Sequence, residues 1–181
     1  MTIIFILQVD IFGQCGTLSC PRADEKHCWD KIEDEYFFYL AFENSLCKDY
    51  ITEKFFNPMQ RKIIPIVLGG ALNGKINSSD YVYGLKTPHH SFIDARQFPS
   101  PKLLAKYLNS LYASPNLYAE YFWWKEFYRI TFDPVKATTK TYCDLCKRLH
   151  DEPSEDERYH KVIEDLHEFW DVKSRCQRVR I

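Results

Sequence analysis

No Asp-x-Asp occurs anywhere in the 181 residues, and no Gly-x-Gly-x-x-Gly follows any apolar run. The first absence removes a carboxylate pair that often holds a divalent ion against a diphosphate. The second removes the glycine fingerprint of dinucleotide binders. No apolar run approaches the roughly 20 residues needed to span a bilayer; the longest near the start is Ile3 to Leu7. A basic leading region and a small-residue cleavage site are missing as well, so the start does not read as a signal peptide. Neither sign of charge is in excess: Lys and Arg number 24, Asp and Glu 25, for a net charge of -1. That balance argues against a nucleic-acid partner, while leaving room for a local basic pocket around an anionic ligand. Internal repeats and low-complexity tracts are lacking too.

The residues present suit a folded domain. The chain is 45% hydrophobic and 16% aromatic, enough for a real core. Seven cysteines are many for this length: Cys15, Cys20, Cys28 and Cys47 in the first third, Cys143, Cys146 and Cys176 in the last. Disulfides in a secretory or luminal protein are the favoured reading, with zinc ligation or plain buried thiols as alternatives. A luminal protein without a targeting signal leads to the expectation that the true N-terminus precedes this sequence.

The apolar pattern predicts an α/β fold. Residues 3–12 read as a strand and Gly13 to Asp30 as a loop. Residues 36–42 fit a buried strand, Asn44 to Lys48 a turn, and Asp49 an N-cap for a helix from Tyr50. Pro58 is expected to stop that helix at Asn57. Residues 63–68, IIPIVL, read as the next buried strand. Strand, helix, strand in this order predicts a parallel βαβ unit. Further on, Ser100-Pro101 and Ser114-Pro115 each open a helix. The first is expected to bury Leu103, Leu104, Tyr107, Leu108 and Leu111. The second carries Leu117, Tyr118, Tyr121, Phe122 and Trp124. Residues 151–158 read as a polar linker before a helix with Tyr159, Val162, Ile163, Leu166, Phe169 and Trp170 on one face. The domain expectation is therefore residues 1–150 and then 151–181.

The junction after residue 42 is where chemistry is expected. Ligands of α/β sheets collect at the carboxyl ends of the strands, and a helix start favours anions. Lys54 could neutralise a diphosphate there, and Glu53 could accept from a sugar hydroxyl. From the residues alone, an exposed Glu-Lys pair without a special role is the readier account, since a single such pair is a weak signal. Cys143, Cys146 and His150 form C-x-x-C-x-x-x-H, which could hold zinc if Cys176 came near. His89, His90, His160 and His167 read as ordinary surface or half-buried residues. Asn77-Ser78-Ser79 is an N-glycosylation sequon.

The run FYLAFENSLCKDYITEKFF resembles the signature of the α-1,3-fucosyltransferases of glycosyltransferase family 10. IIPIVLGGA is similar to that family's next strand and glycine turn. SFIDARQFPSPKLLAKYLNSLYASPNLYAEYFWWKEFY resembles its downstream helices, and VDIFGQCGTLSCPR its lead-in strand and Cys-Gly loop. The likeness runs from Val9 to Cys146. With CDLCKRLH, the lead-in looks most like the branch that modifies the core of N-glycans.

The resemblance implies a GT-B architecture, of which this chain supplies the C-terminal, Rossmann-like, GDP-fucose-binding half: a parallel sheet flanked by helices. It implies a donor site of Glu43, Asn44, Tyr50, Glu53 and Lys54, with Lys54 on the diphosphate. It implies inverting transfer of L-fucose to N-acetylglucosamine of a glycoprotein N-glycan. The general base belongs to an N-terminal acceptor domain absent here, so the catalytic residues are unknown and the chain alone is expected to be inactive. No cofactor and no strict metal requirement are implied, which the missing Asp-x-Asp fits. The implied location is the Golgi lumen, in a type II membrane protein whose anchor is missing here. Cys143 and Cys146 are implied to be structural disulfide cysteines. The sequence departs from the family pattern in a longer segment between Gly70 and Ser91 (residues 72–79 read as an insertion), in Gln97 where an acidic residue is usual, and in Pro58. The alternative is a non-catalytic, disulfide- or zinc-stapled interaction module.

Overall fold

The structure is a computed structural model, and it describes residues 8–13, 15–47, 50–69, 87–130, 134–150, 164–166 and 176–177. The sequon at Asn77, the insertion at 72–79, Asp49, His160 and His167 lie outside the described residues. The chain divides into two compact units: residues 1–129 with 176–181, and residues 130–175. The boundary expected after residue 150 does not coincide with this division.

The first unit is built on a parallel sheet. Strand β1, Phe38–Phe42, runs beside β3, Ile64–Leu68, in register from Phe38↔Ile64 to Phe42↔Leu68. A short β4, Ile93–Asp94, continues on the far side of β3. The central strand has no polar face, and Ile64, Pro65, Ile66 and Val67 are all buried, as a strand covered on both sides requires. Ile64, Ile66 and Ile93 pack against Leu104, Leu108, Leu111 and Tyr121. Ile63 turns to the other face and meets Cys28 and Ile32.

Those last two residues belong to helix α1, Glu25–Glu35, which corrects the expected loop over Gly13 to Asp30. Its buried stripe is only Cys28 and Ile32, four apart and surrounded by charge. Arg61 fastens the helix to the sheet through Asp30 at 2.6 Å and Glu33 at 3.2 Å, and a disulfide joins Cys28 to Cys20. The strand expected over residues 3–12 is also corrected where it is described. Residues 8–11 form none, and Phe12 makes a single bridge to Leu18. The turn between them needs glycine twice. Gly13 has φ +94°, and a Cβ on Gly16 would lie 1.8 Å from the Ile11 carbonyl oxygen.

Helix α2 is Glu53–Met59. It begins three residues later than expected and is capped by Thr52. It also passes through Pro58, because Phe55, Pro58 and Met59 are all buried and their burial offsets one missing hydrogen bond. Leu46 and Cys47, expected in a turn, form strand β2. It pairs antiparallel with β5, Cys176–Gln177, and a disulfide joins Cys47 to Cys176.

Helix α3, Pro101–Tyr112, starts as predicted, with the Ser100 hydroxyl accepting from Leu103 N at 3.3 Å. It buries Leu104, Ala105, Leu108 and Leu111, while Leu103 is exposed and Tyr107 half-buried. Positions 104, 108 and 111 form one stripe; Leu103 lies about 100° off it. Helix α4, Pro115–Ala119, runs into a 3-10 turn, Glu120–Glu126, that buries Tyr121 and Trp124 and leaves Leu117 exposed. The Tyr118 hydroxyl, within reach of the Phe37 and Lys62 carbonyls at 3.0 and 2.9 Å, ties this layer to the sheet.

In the second unit α5 spans Pro134–His150, and its described side chains, from residue 138 on, are exposed. Of the expected terminal helix only residues 164–166 are described, and Leu166 is exposed.

Candidate functional site

β1 and β3 are parallel and end level, at Phe42 and Leu68. The chain leaving β1 therefore passes over the carboxyl edge of the sheet. Glu43, the first residue out, donates its N–H to the Leu68 carbonyl at 3.0 Å. Glu43 is buried, at 9% exposure, and its carboxylate turns along the chain to Thr52. One oxygen accepts from Thr52 N and the other from the Thr52 hydroxyl, both at 2.8 Å. The Thr52 hydroxyl in turn accepts from Lys54 N at 3.4 Å. Two residues nine positions apart are thus tied together.

Glu53 and Lys54 occupy the first two positions of α2. Adjacent helical residues ordinarily point apart, yet here Lys54 Nζ lies 3.1 Å from Glu53 Oε1. That hydrogen bond is the main cause of a lowered Glu53 pKa and of a raised Lys54 pKa. Glu43 and Tyr50 add charge effects that also favour the Lys54 ammonium. Four of the five expected site residues therefore act on one locus. Tyr50 is half-buried, and its N–H reaches the Cys47 carbonyl at 3.3 Å. Asn44 is exposed at the bend after β1. An exposed ion pair is worth at most about 1 kcal/mol, so an incoming diphosphate can replace Glu53 as the partner of Lys54. Seven residues make two turns of helix, so positive charge here comes chiefly from the lysine rather than from a macrodipole.

Three residues not singled out in the sequence also belong here. Thr52 is the hub between Glu43 and Lys54. A threonine directly before an acidic first turn is an N-cap signal, but Asp49 competes with it. Tyr39 on β1 has its phenol pKa pushed up mainly by burial, with Lys54 pulling it down and Glu53 up, so it borders the pair. Trp29 of α1 packs on Tyr39 at 5.2 Å between ring centroids. At the same edge of the sheet, at the end of β4, Asp94 is fully buried. It takes a two-point grip from Arg96, at 3.0 and 2.6 Å.

The histidines lie elsewhere. His89 and His90 precede β4 and so sit toward the opposite edge. Both are exposed, and with Glu120 and Trp123 they line an open cleft of about 510 Å³. His90 stacks on Tyr121 at 4.1 Å. On α5, Cys143 and Cys146 are exposed and form no disulfide among the described residues; the partner implied for them lies in the N-terminal region that the chain does not span. Cys146 Sγ is 3.9 Å from His150 Nδ1, but Cys176, the fourth zinc ligand considered, is taken up by Cys47. Among the described residues, no three His, Cys, Asp or Glu side chains form a metal cluster.

The sequence model of glycosyltransferase family 10 (fucosyltransferase), C-terminal part, matches residues 2–169. The chain is 44% identical to Alpha-(1,3)-fucosyltransferase C of Drosophila melanogaster over 96% of its own length and 37% of that protein's. It is 39% identical to Glycoprotein 3-alpha-L-fucosyltransferase A of the same fly, over 94% of this chain and 31% of the relative. A crystal structure of an alpha1,3-fucosyltransferase with GDP-fucose aligns at 23% identity over 50% of this chain and 24% of that one, with a TM-score of 0.38. The chain spans about a third of the length of these two relatives. By its match over most of its length, it belongs to glycosyltransferase family 10, the fucosyltransferases, and corresponds to the family's C-terminal part.

Proposed function

We propose that this chain carries the GDP-fucose-binding part of an α-1,3-fucosyltransferase that acts on a glycoprotein glycan, with N-acetylglucosamine of an N-glycan as the acceptor sugar. The observation that carries the reading is the meeting of Glu43, Tyr50, Glu53 and Lys54 at the carboxyl edge of β1 and β3, in a chain of a fucosyltransferase family. In the reaction, the acceptor hydroxyl attacks the anomeric carbon of fucose as the bond to GDP breaks. Negative charge grows on the leaving diphosphate, and Lys54 stabilises it. Positive charge grows on the sugar, where the Glu53 carboxylate, released from Lys54, is favourable. The hydroxyl's proton goes to a base supplied by the region of the relatives that this chain does not span. Transfer proceeds with inversion in the Golgi lumen, where the two disulfides of the structure are at home.

GDP titration by calorimetry, with wild type beside Lys54→Ala, tests the reading. Removing a charge-assisted contact to a diphosphate is expected to weaken GDP binding about 10- to 100-fold. Equal binding by the two proteins overturns the Lys54 assignment, and no binding by folded wild type overturns the donor site. The interaction-module alternative loses its proposed fourth zinc ligand to the Cys47–Cys176 disulfide. Stoichiometric zinc with free cysteines in the purified protein would favour that module, and no metal with blocked thiols the transferase.

A further inference from the structure

We propose that Glu43 is a positioning residue: it fixes Thr52, and through Thr52 the start of α2, so that Lys54 is held where a nucleoside diphosphate meets it. The inference rests on the donor-site reading above. Glu43 was expected to contact the donor, but both its carboxylate oxygens are taken by Thr52, at 2.8 Å each. A carboxylate this buried requires such donors, and turning it toward a ligand would strand the Thr52 N–H. Its own N–H is fixed to the end of β3 through Leu68. A continuous path therefore runs from the sheet edge through Glu43 and Thr52 to the backbone of Lys54. A lysine near a flexible helix start would have to be ordered anew for each ligand. Preorganised charge avoids that cost.

The test uses the whole chain, with GDP calorimetry on Glu43→Ala, Glu43→Gln, Thr52→Val and the Glu43→Ala/Thr52→Val double variant. Hydrogen exchange of the Lys54, Phe55 and Phe56 amides without ligand is measured alongside. Glu43→Ala is expected to weaken GDP binding about tenfold and to speed exchange at those amides. Glu43→Gln is expected to recover most of the loss, because its carbonyl can accept from Thr52 N while its amide donates to the Thr52 hydroxyl. The double variant is expected to be no worse than the weaker single one, as for two members of one path. Losses that add, or a glutamine variant as weak as the alanine one, would mean that the Glu43 charge meets the ligand directly, and would overturn the proposal. Unchanged exchange in Glu43→Ala would also overturn it. If that variant does not fold, the near-isosteric Glu43→Gln and Thr52→Val decide by the same readings. Wild type that binds GDP beside a Glu43→Ala protein that binds it equally well refutes only this inference. Wild type that does not bind GDP removes the donor reading, and this inference with it.

Discussion

Breaking the Cys47–Cys176 bond with Cys176→Ser is expected to cost far more stability than breaking Cys20–Cys28 with Cys20→Ser. The two bonds close chain segments of very different length: 129 residues in one case and 8 in the other. Chain entropy gives a ceiling of about 5 kcal/mol for the long loop and about 2.5 kcal/mol for the short one. The loops do not overlap in sequence, so neither bond shortens the other and the two losses should add. The long loop encloses β3, α3 and the whole unit of residues 130–175. Any order that persists in that unit after the rest unfolds lowers the ceiling. A domain is stable by about 5–15 kcal/mol, so the loss is a large fraction of the whole. The assay is urea unfolding under oxidising conditions, followed by tryptophan fluorescence, with the slope compared between variants so that a more compact denatured state is recognised. Cys28 remains in the core of the Cys20→Ser protein, and Cys20, which packs against that core from outside, adds a packing loss that works against the expected ranking. A Cys176→Ser protein no less stable than Cys20→Ser would refute the loop argument, and with it the pairing of β2 with β5.

Ser100→Ala is expected to cost about 1 kcal/mol, because the hydroxyl caps α3 at Leu103 N; thermal unfolding by circular dichroism measures it. Tyr36 donates to Asp10 at 2.6 Å, which is the main cause of a phenol pKa raised to about 12. A folded pKa above the unfolded value means a contribution that is complete below pH about 10 and lost as pH rises through about 12. Ultraviolet titration of tyrosinate should show this late ionisation, and Asp10→Asn should move it down. Excess chelator is expected to leave GDP affinity unchanged, as judged by calorimetry before and after treatment with EDTA.

What could be read from the sequence follows from where the signal lies in each element. β1 and β3 are continuous apolar runs and both form strands as expected, but only β3 is buried along most of its length; in β1 Ala41 is buried while Leu40 is exposed. Ser100-Pro101 marks α3 by two local signals that agree. Helix α1 was hidden because its buried stripe is two residues, Cys28 and Ile32, in an otherwise charged segment. Much of its attachment is through Arg61, a partner some 30 positions away. β2 has no local signal at all, since two residues become a strand only when Cys176 arrives from the other end of the chain. At the site, the motif led to Glu43, Tyr50, Glu53 and Lys54, but not to what Glu43 does. That role depends on Thr52 rather than Asp49 being the cap, and two nearby cap candidates cannot be ranked without knowing where the strand ends hold the loop.

The ion pairs of the structure separate fold from site. Arg61 joins α1 to the sheet, bridging residues distant in sequence, and Arg96 neutralises a fully buried carboxylate at Asp94. Removing the Arg61 side chain takes a charged partner from two carboxylates, leaving Asp30 to Lys26 and Glu33 to the Lys62 N–H; removing that of Arg96 takes both guanidinium bonds from a buried carboxylate, which is costly. Lys54 differs on both counts. It pairs with its immediate neighbour, and the Glu53 side chain is 54% exposed, so water can replace the lysine at little cost. Its pair therefore explains nothing about the fold, and Lys54→Ala is expected to change unfolding free energy by less than about 1 kcal/mol. A charge retained beside a sheet's carboxyl edge without holding the fold is the pattern expected of a ligand contact. Arg61→Ala is the matching control, expected to lower stability while leaving the GDP affinity of the folded protein unchanged. If instead Lys54→Ala unfolds the protein, its loss of GDP binding would say nothing about a diphosphate. The lysine would then belong with Arg61 and Arg96.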